Sequence, residues 1–300
     1  METIGFIGLG TVGGTVAANI LGAGHPMVVY DIRAEAMATL RARGAQPAAS
    51  SAEVARRCRI VFTSLPGPAE IEQAALGSSG LVAGVGGGSL YVDLSSSDPE
   101  LIRRIAGEFR GRGARAMDAP LIIGKNGLAQ KSVQVLASGS AADFHEIKPV
   151  LDCFSERVIY AGSLGNGTAI KLAHNLVRRG IGLAIGEGVV LGAKAGVDAE
   201  LLWDCMHWGL DAQLHQLRKN FPEIVFQGNY EAPAGFGIGL ARKDVGLATE
   251  LGRRLSVPMP VAALVEQALI QAINRGWGEQ GTLSLFRLQE QSAGVAVRKP

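Results

Sequence analysis

The chain has 300 residues, 47% of them hydrophobic and 19% charged, with a formal net charge of +2. That composition excludes a disordered chain, and the length suits one large or two ordinary domains with a sizeable core. So small a charge gives no electrostatic basis for a nucleic-acid or anionic-membrane partner.

Cys58, Cys153 and Cys205 are odd in number and far apart. They form neither a disulfide framework nor a zinc spacing, which fits a reducing cytoplasm. The histidines make no metal constellation, so no metal is expected. The apolar N-terminus lacks a basic n-region, which argues against a signal peptide. Arg178, Arg179 and Glu187 interrupt the best run of spanning length, so a soluble protein is expected.

Residues 4–7 have a short buried-strand pattern, followed at once by Gly8-Leu9-Gly10-Thr11-Val12-Gly13 and a helical run. Strand, G-x-G-x-x-G and helix in that order form a dinucleotide-binding unit. Gly8 allows the tight turn, Gly10 lets a pyrophosphate approach the backbone, and Gly13 permits close helix–strand packing. The phosphates then sit on the helix N-terminus. The next strand, 27–30, ends on Asp31, roughly 20 residues beyond the motif, where an acid grips the adenosine ribose. A 2′-phosphate there meets a like charge, so NAD is expected; Arg33 keeps NADP open by offering that phosphate a partner.

Strands and helices alternate from there. Helix 34–43, an apolar segment 45–48, helix 51–57, strand 60–64, helix 68–75, strand 90–94 and helix 99–111 imply a mostly parallel sheet. A cofactor lies off the carboxyl ends of such strands, which puts Leu65, Pro66 and Ser96 along its path. Ser96 reads equally as an ordinary helix-entry residue. Strand 114–117 leads into Asp118-Ala119-Pro120, and 132–138 reads as its continuation in the sheet. Helix 141–151 and strand 158–160 close a first domain of residues 1–162.

Beyond Gly162 the patterns are helical, at 165–195, 198–207, 211–219, 242–254 and 260–275. The expected fold class is an α/β Rossmann-type dinucleotide-binding domain followed by an all-α domain, residues 163–300. Gly180, Gly182, Gly186, Gly188 and Gly192 each weaken the first of these helices by about 1 kcal/mol relative to alanine. Their expected use is close backbone approach, with the helix packed on several sides and a homodimer or homotetramer burying such faces. Near its start Lys171 and Asn175 share one face at i, i+4 spacing. They read either as a solvated rim or as a desolvated lysine held for proton transfer beside a substrate-fixing amide.

Four blocks, GFIGLGTVGG with VVYD, MDAPLIIG, GNGTAIKLAHN and FGIGLARKDVGLA, now stand in order along nearly the whole chain. Together they resemble the β-hydroxyacid dehydrogenases, the family of 3-hydroxyisobutyrate dehydrogenase and tartronate-semialdehyde reductase, related to 6-phosphogluconate dehydrogenase. The resemblance implies an NAD(P)-dependent oxidoreductase acting on the CH–OH group of a 3-hydroxy acid or on its semialdehyde. It makes Lys171 the general acid/base, taking the hydroxyl proton as hydride leaves the carbinol carbon for the nicotinamide, and makes Asn175 the group that orients the substrate. Lys243, supported by Asp244, is implied to close over the cofactor; a surface salt pair is the alternative.

The chain departs from the family pattern at its substrate contacts. Ile122-Ile123-Gly124 stands where Ser-Gly-Gly is usual, Lys131 where a glycine is usual, and His174 where an asparagine is usual. With the serine gone, a substrate carboxylate needs another partner, Lys131 or, better placed, Arg178. Arg178 lies about 20° around the helix from Lys171 and about 10 Å along it, within reach of a side chain leaning toward the N-terminus. Its planar fork suits a carboxylate; a solvated arginine or a subunit contact is the alternative. Imine or ketone reduction on this scaffold and a non-catalytic cofactor-binding relative are the competing functions. Relatives of both kinds tend to lose the lysine, so Lys171 argues against them.

Overall fold

The computed structural model describes residues 1–231 and 237–299. Phe236, the first residue of the fourth block, lies outside them. The described chain divides into two compact units, Met1–Leu176 and Val177–Pro300. The division falls inside the long helix, later than the boundary at 162 expected from the strand pattern.

The first unit is built on strands β1 (Ile4–Ile7), β2 (Met27–Tyr30), β3 (Gln46–Pro47), β4 (Ile60–Thr63), β5 (Leu90–Asp93) and β6 (Arg115–Asp118). They form one sheet in the order β3-β2-β1-β4-β5-β6, with every neighbouring pair parallel. Continuous apolar runs such as Ile-Val-Phe in β4 suit strands covered on both faces, and two hydrophobic clusters do cover them. Helices α1 (Thr11–Gly22), α2 (Ala38–Ala42), α3 (Ser51–Arg57), α4 (Pro68–Leu76) and α5 (Pro99–Arg110) make the crossovers. The strand order reverses between β1 and β4, which opens a crevice off their carboxyl ends.

Residues 132–138 do not continue that sheet. Strand β7 (Leu121–Ile123), which the sequence pattern did not suggest, pairs antiparallel with β8 (Val133–Ala137), and β8 runs parallel to β9 (Arg157–Tyr160) in a separate three-stranded sheet. An isolated bridge between Asp118 and Ser138 links the two sheets. Pro120 lacks the N–H that a ladder requires, which breaks the run between β6 and β7. Helix α6 (Ala141–Leu151) lies between β8 and β9, and α7 (Asn166–Lys194) follows β9.

The second unit holds the rest of α7 with α8 (Ala199–Ile224), α9 (Ile238–Leu255), α10 (Pro260–Asn274) and α11 (Phe286–Ala293). The two helices expected at 198–207 and 211–219 are one, because a single glycine, Gly209, costs only about 1 kcal/mol within so long a helix. Helices α9 and α10 pack around Ile238, Leu269, Ala272, Trp277 and Leu288. Glu187 of α7 accepts the N–H groups of Val261 (2.6 Å) and Ala262 (3.0 Å) and so caps α10. Among the described residues of the second unit, α7 is closely packed at two of its glycines and not on several sides. Gly188 and Gly192 meet Met206 and Leu202 of α8, while no described residue lies within 4 Å of a Cβ placed on Gly180, Gly182 or Gly186.

Lys131 and Ser256 hold left-handed backbone, each at φ 56°. Such a conformation costs a non-glycine residue about 1–2 kcal/mol, and at Lys131 it accounts for the glycine usual in the family pattern. Lys131→Gly and Ser256→Gly should each raise unfolding stability by about 1 kcal/mol in urea titrations, the relieved strain exceeding the added chain entropy. An unchanged or lowered midpoint in both would contradict this assignment of strain.

Candidate active site

The turn between β1 and α1 is shaped by close backbone contacts. Gly8 holds φ +88°, and a Cβ there would lie 2.3 Å from the Ser64 carbonyl oxygen. A Cβ on Gly13 would lie 2.0 Å from the Gly8 carbonyl oxygen, so this glycine is required by the protein itself. Gly10 differs: among the described residues nothing lies within 4 Å of its missing Cβ. No side chain caps α1, and its first turn carries no acid. An uncapped helix N-terminus with open space before it is fitted to a phosphate.

A cavity of about 860 Å³ adjoins this turn, lined by Gly8, Gly10, Thr11, Val12 and Gly13 on one side. Asp31 and Arg33 line it from the end of β2, and Leu65 and Pro66 from the end of β4. Asp31 is buried, and its carboxylate accepts the N–H groups of Leu9 (2.7 Å) and Arg33 (2.9 Å). Those bonds aim it while leaving lone pairs for ribose hydroxyls. The Arg33 guanidinium stays mostly exposed, 3.5 Å from the same carboxylate. Three of the expected cofactor residues are not part of the cavity lining: Leu9, Ser96 and, in the second unit, Lys243. The Leu9 side chain is buried in the core, and Ser96 is exposed. The lining and the volume fit an NAD(P) dinucleotide at this site.

A buried network supports the Leu65–Pro66 loop. Asp93, at the end of β5, accepts from the Thr63 hydroxyl (2.8 Å) and the Ser95 N–H (3.1 Å). The Ser95 hydroxyl in turn accepts the Leu65 N–H at 2.9 Å. Burial pushes the Asp93 carboxyl up from its usual range, against the hydrogen bonds from Ser95 and Thr63 that pull it down.

The second constellation lies at the start of α7. Lys171 is half-buried, and its Nζ donates to the Leu121 carbonyl oxygen at 2.5 Å. That oxygen immediately precedes Ile122, so the lysine and the atypical substrate block come together. Ile122 is half-buried and Ile123 is 46% exposed. A Cβ on Gly124 would lie 2.6 Å from the Ser132 hydroxyl, so this glycine serves the β7–β8 hairpin. His174 and Asn175 are half-buried on the next turn of α7. In the second unit Arg178 is exposed, and Lys243 pairs with Asp244 at 3.1 Å.

Sequence reasoning passed over Asp118 and Ser138. Asp118 accepts from Gly165 and Thr168 at the entry to α7 and from the Ser138 hydroxyl. The available signal was a long helix opening on Gly-Asn-Gly-Thr, whose buried N–H groups need acceptors from elsewhere. Among the described residues no cluster of His, Cys, Asp and Glu could hold a metal ion.

Residues 3–162 match the family model described as the NAD binding domain of 6-phosphogluconate dehydrogenase. Residues 165–289 match that described as the NAD-binding of NADP-dependent 3-hydroxyisobutyrate dehydrogenase. The chain is 32% identical to 3-hydroxyisobutyrate dehydrogenase of Pseudomonas aeruginosa, covering 88% of this chain and 90% of that protein. It is 29% identical to 2-(hydroxymethyl)glutarate dehydrogenase of Eubacterium barkeri, over 98% and 97% of the two chains. In fold it is similar to an imine reductase from Myxococcus stipitatus in complex with NADP+, with a TM-score of 0.87 at 19% identity over 95% and 99% of the two chains.

The two glycines give opposite expectations. Gly10→Ala should leave the thermal midpoint within a degree or two, yet weaken NADH binding about tenfold or more, because its Cβ enters the phosphate space. Gly13→Ala should lower the midpoint itself by several degrees. Melting curves and NADH fluorescence titrations check both, and unchanged NADH affinity in Gly10→Ala would contradict the placement of the pyrophosphate.

Proposed function

The chain belongs to the β-hydroxyacid dehydrogenase family of NAD(P)-dependent oxidoreductases, and on that premise we propose that Lys171 is the proton-transfer group for interconverting a 3-hydroxy acid and its semialdehyde. The carrying observation is the Lys171 Nζ hydrogen bond to the Leu121 carbonyl. It holds the amine beside the substrate block. NAD(P), when bound, supplies the hydride acceptor or donor. Lys171 as the free amine takes the hydroxyl proton during oxidation and returns it during reduction. Asn175, one turn on, donates its amide to a substrate oxygen, with the half-buried His174 beside it on α7. Ile122 and Ile123 put apolar surface where a hydroxyl would meet the carboxylate, so the carboxylate takes its partner elsewhere. Arg178 then takes the carboxylate, and Lys243 approaches the cofactor.

In this reading residues 1–162 bind the cofactor, and 163–300 carry substrate and subunit contacts. NAD is preferred over NADP, since the buried Asp31 carboxylate would face a 2′-phosphate. The three cysteines are free, which fits a reducing compartment such as the cytoplasm. Among the described residues no helix is long and apolar enough to cross a membrane.

One set of steady-state assays tests the chemistry. Lys171→Ala should lower kcat by at least about 100-fold while leaving NADH affinity nearly unchanged. Arg178→Leu should raise KM for the acid substrate and spare its neutral ester, and kcat/KM should favour NAD. Near wild-type turnover in Lys171→Ala would sink the mechanism. Cyclic imines in the same panel test imine reduction, the other activity this scaffold suggests.

A second copy of the chain covers α7 and α8. No residue of the 26-residue α8 is buried, and apolar side chains such as Leu183 (65% exposed) and Trp208 (75%) stand bare. A helix of that kind draws its stability from packing, and the uncovered glycines of α7 admit another helix closely. The same two helices facing their own copies make a self-complementary interface. Sedimentation equilibrium at micromolar concentration should return a dimer or tetramer; a monomer there would contradict the covered face.

A further inference from the structure

We propose that Asp118 is the positioning residue for Lys171: its buried carboxylate fixes the first turn of α7 and so sets where the lysine stands. The inference rests on the reading of Lys171 as the acid/base. Asp118 ends β6 and is 1% exposed. One carboxylate oxygen accepts the Gly165 N–H at 2.8 Å and the Ser138 hydroxyl. The other accepts the Thr168 N–H at 2.7 Å and the Thr168 hydroxyl at 2.8 Å. The Ser138 hydroxyl oxygen takes the Gly167 N–H at 3.0 Å. The N–H groups of Gly165, Gly167 and Thr168 are thus all satisfied by side chains at the ends of β6 and β8.

This grip leaves the helix little freedom to turn or lift. A Cβ on Gly167 would lie 2.1 Å from the Leu136 carbonyl oxygen, so the first turn already sits against β8. Thr168, also 1% exposed, is one helical turn before Lys171 and on its face. The tip of Lys171 returns to the Leu121 carbonyl, three positions beyond Asp118. One short segment, 118–121, therefore holds the lysine at both ends: its helix by the carboxylate, its side-chain nitrogen by the carbonyl. Four donors converge on Asp118, two on each oxygen, and only a carboxylate accepts them all; an asparagine would turn its NH2 toward one of these pairs. The negative charge also lies at the positive end of the helix dipole.

Proton transfer needs heavy atoms within hydrogen-bond reach, and a misplacement of about 1 Å costs on the order of 100-fold. A residue acting through Lys171 should matter only while Lys171 is present. The test is a cycle of Asp118→Asn and Lys171→Ala, with kcat, NADH affinity and thermal midpoint measured for each. Asp118→Asn should lower kcat about tenfold or more with NADH affinity within about twofold, and the loss should vanish in the Lys171→Ala background. An equal loss in both backgrounds, or wild-type kcat in Asp118→Asn, overturns the proposal. If Asp118→Asn does not fold, Thr168→Val and Ser138→Ala carry the same cycle, since each removes one hydroxyl donor and keeps the carboxylate. Loss of kcat in both that disappears without Lys171 supports the proposal, and wild-type kcat in both overturns it. The two claims separate cleanly. High turnover in Lys171→Ala ends the acid/base reading and this inference with it, whereas collapse there with an additive Asp118 effect ends only the inference.

Discussion

The organising constraint in the first unit is the need to satisfy the buried N–H groups where α7 begins. A helix of 29 residues leaves its first donors without partners inside the helix, and burial removes water as a substitute. Asp118 and Ser138 meet that need from strands that are distant in sequence. Leaving one such donor unpaired costs about 1–3 kcal/mol, so strand ends and helix start form one cooperative piece. Within the second unit Glu187 does the same for α10 through Val261 and Ala262. Both helices are capped by carboxylates far away in the chain.

The cofactor turn follows the opposite rule. Where α7 is saturated with acceptors, α1 is left uncapped, without an acid in its first turn. Open space at Gly10 and a dense contact at Gly13 show which glycine serves a ligand and which serves the fold. The Asp93–Thr63–Ser95 network then holds the Leu65 N–H, so the far wall of the cavity is anchored to the strand ends. Asp31 is aimed by two backbone donors before any ligand arrives. Such preorganisation lowers the ordering cost of binding.

Local signals carried much of this. The glycine motif, Asp31, the alternation of strands and helices, and the i, i+4 pair Lys171 and Asn175 are all short-range features, and short-range patterns survive into the structure. What escaped was long-range. Nothing near Asp118 in the chain indicates that its donors lie at 138, 165 and 168. The β7–β9 sheet escaped because Leu121–Ile123 is too short for a strand period to show. The break expected in α8 between 207 and 211 does not form, because the low propensity of a single Gly209 is a weak prior that neighbouring turns override. Leu9 stands within the glycine motif and Ser96 beyond the carboxyl end of β5; the Leu9 side chain is buried in the core and Ser96 is exposed. Close contact at the glycines of α7, which the sequence suggests for all five, holds among the described residues at Gly188 and Gly192.

The central claim is that the entry to α7 is locked, and native-state amide hydrogen exchange tests it most directly. Helix starts ordinarily fray and exchange through local openings of nearly zero free energy. The amides of Gly165, Gly167 and Thr168 should instead exchange as slowly as those of the β4 and β5 core, because each donates to a buried acceptor. Exchange of those three amides at the rate of a frayed helix end would contradict the account.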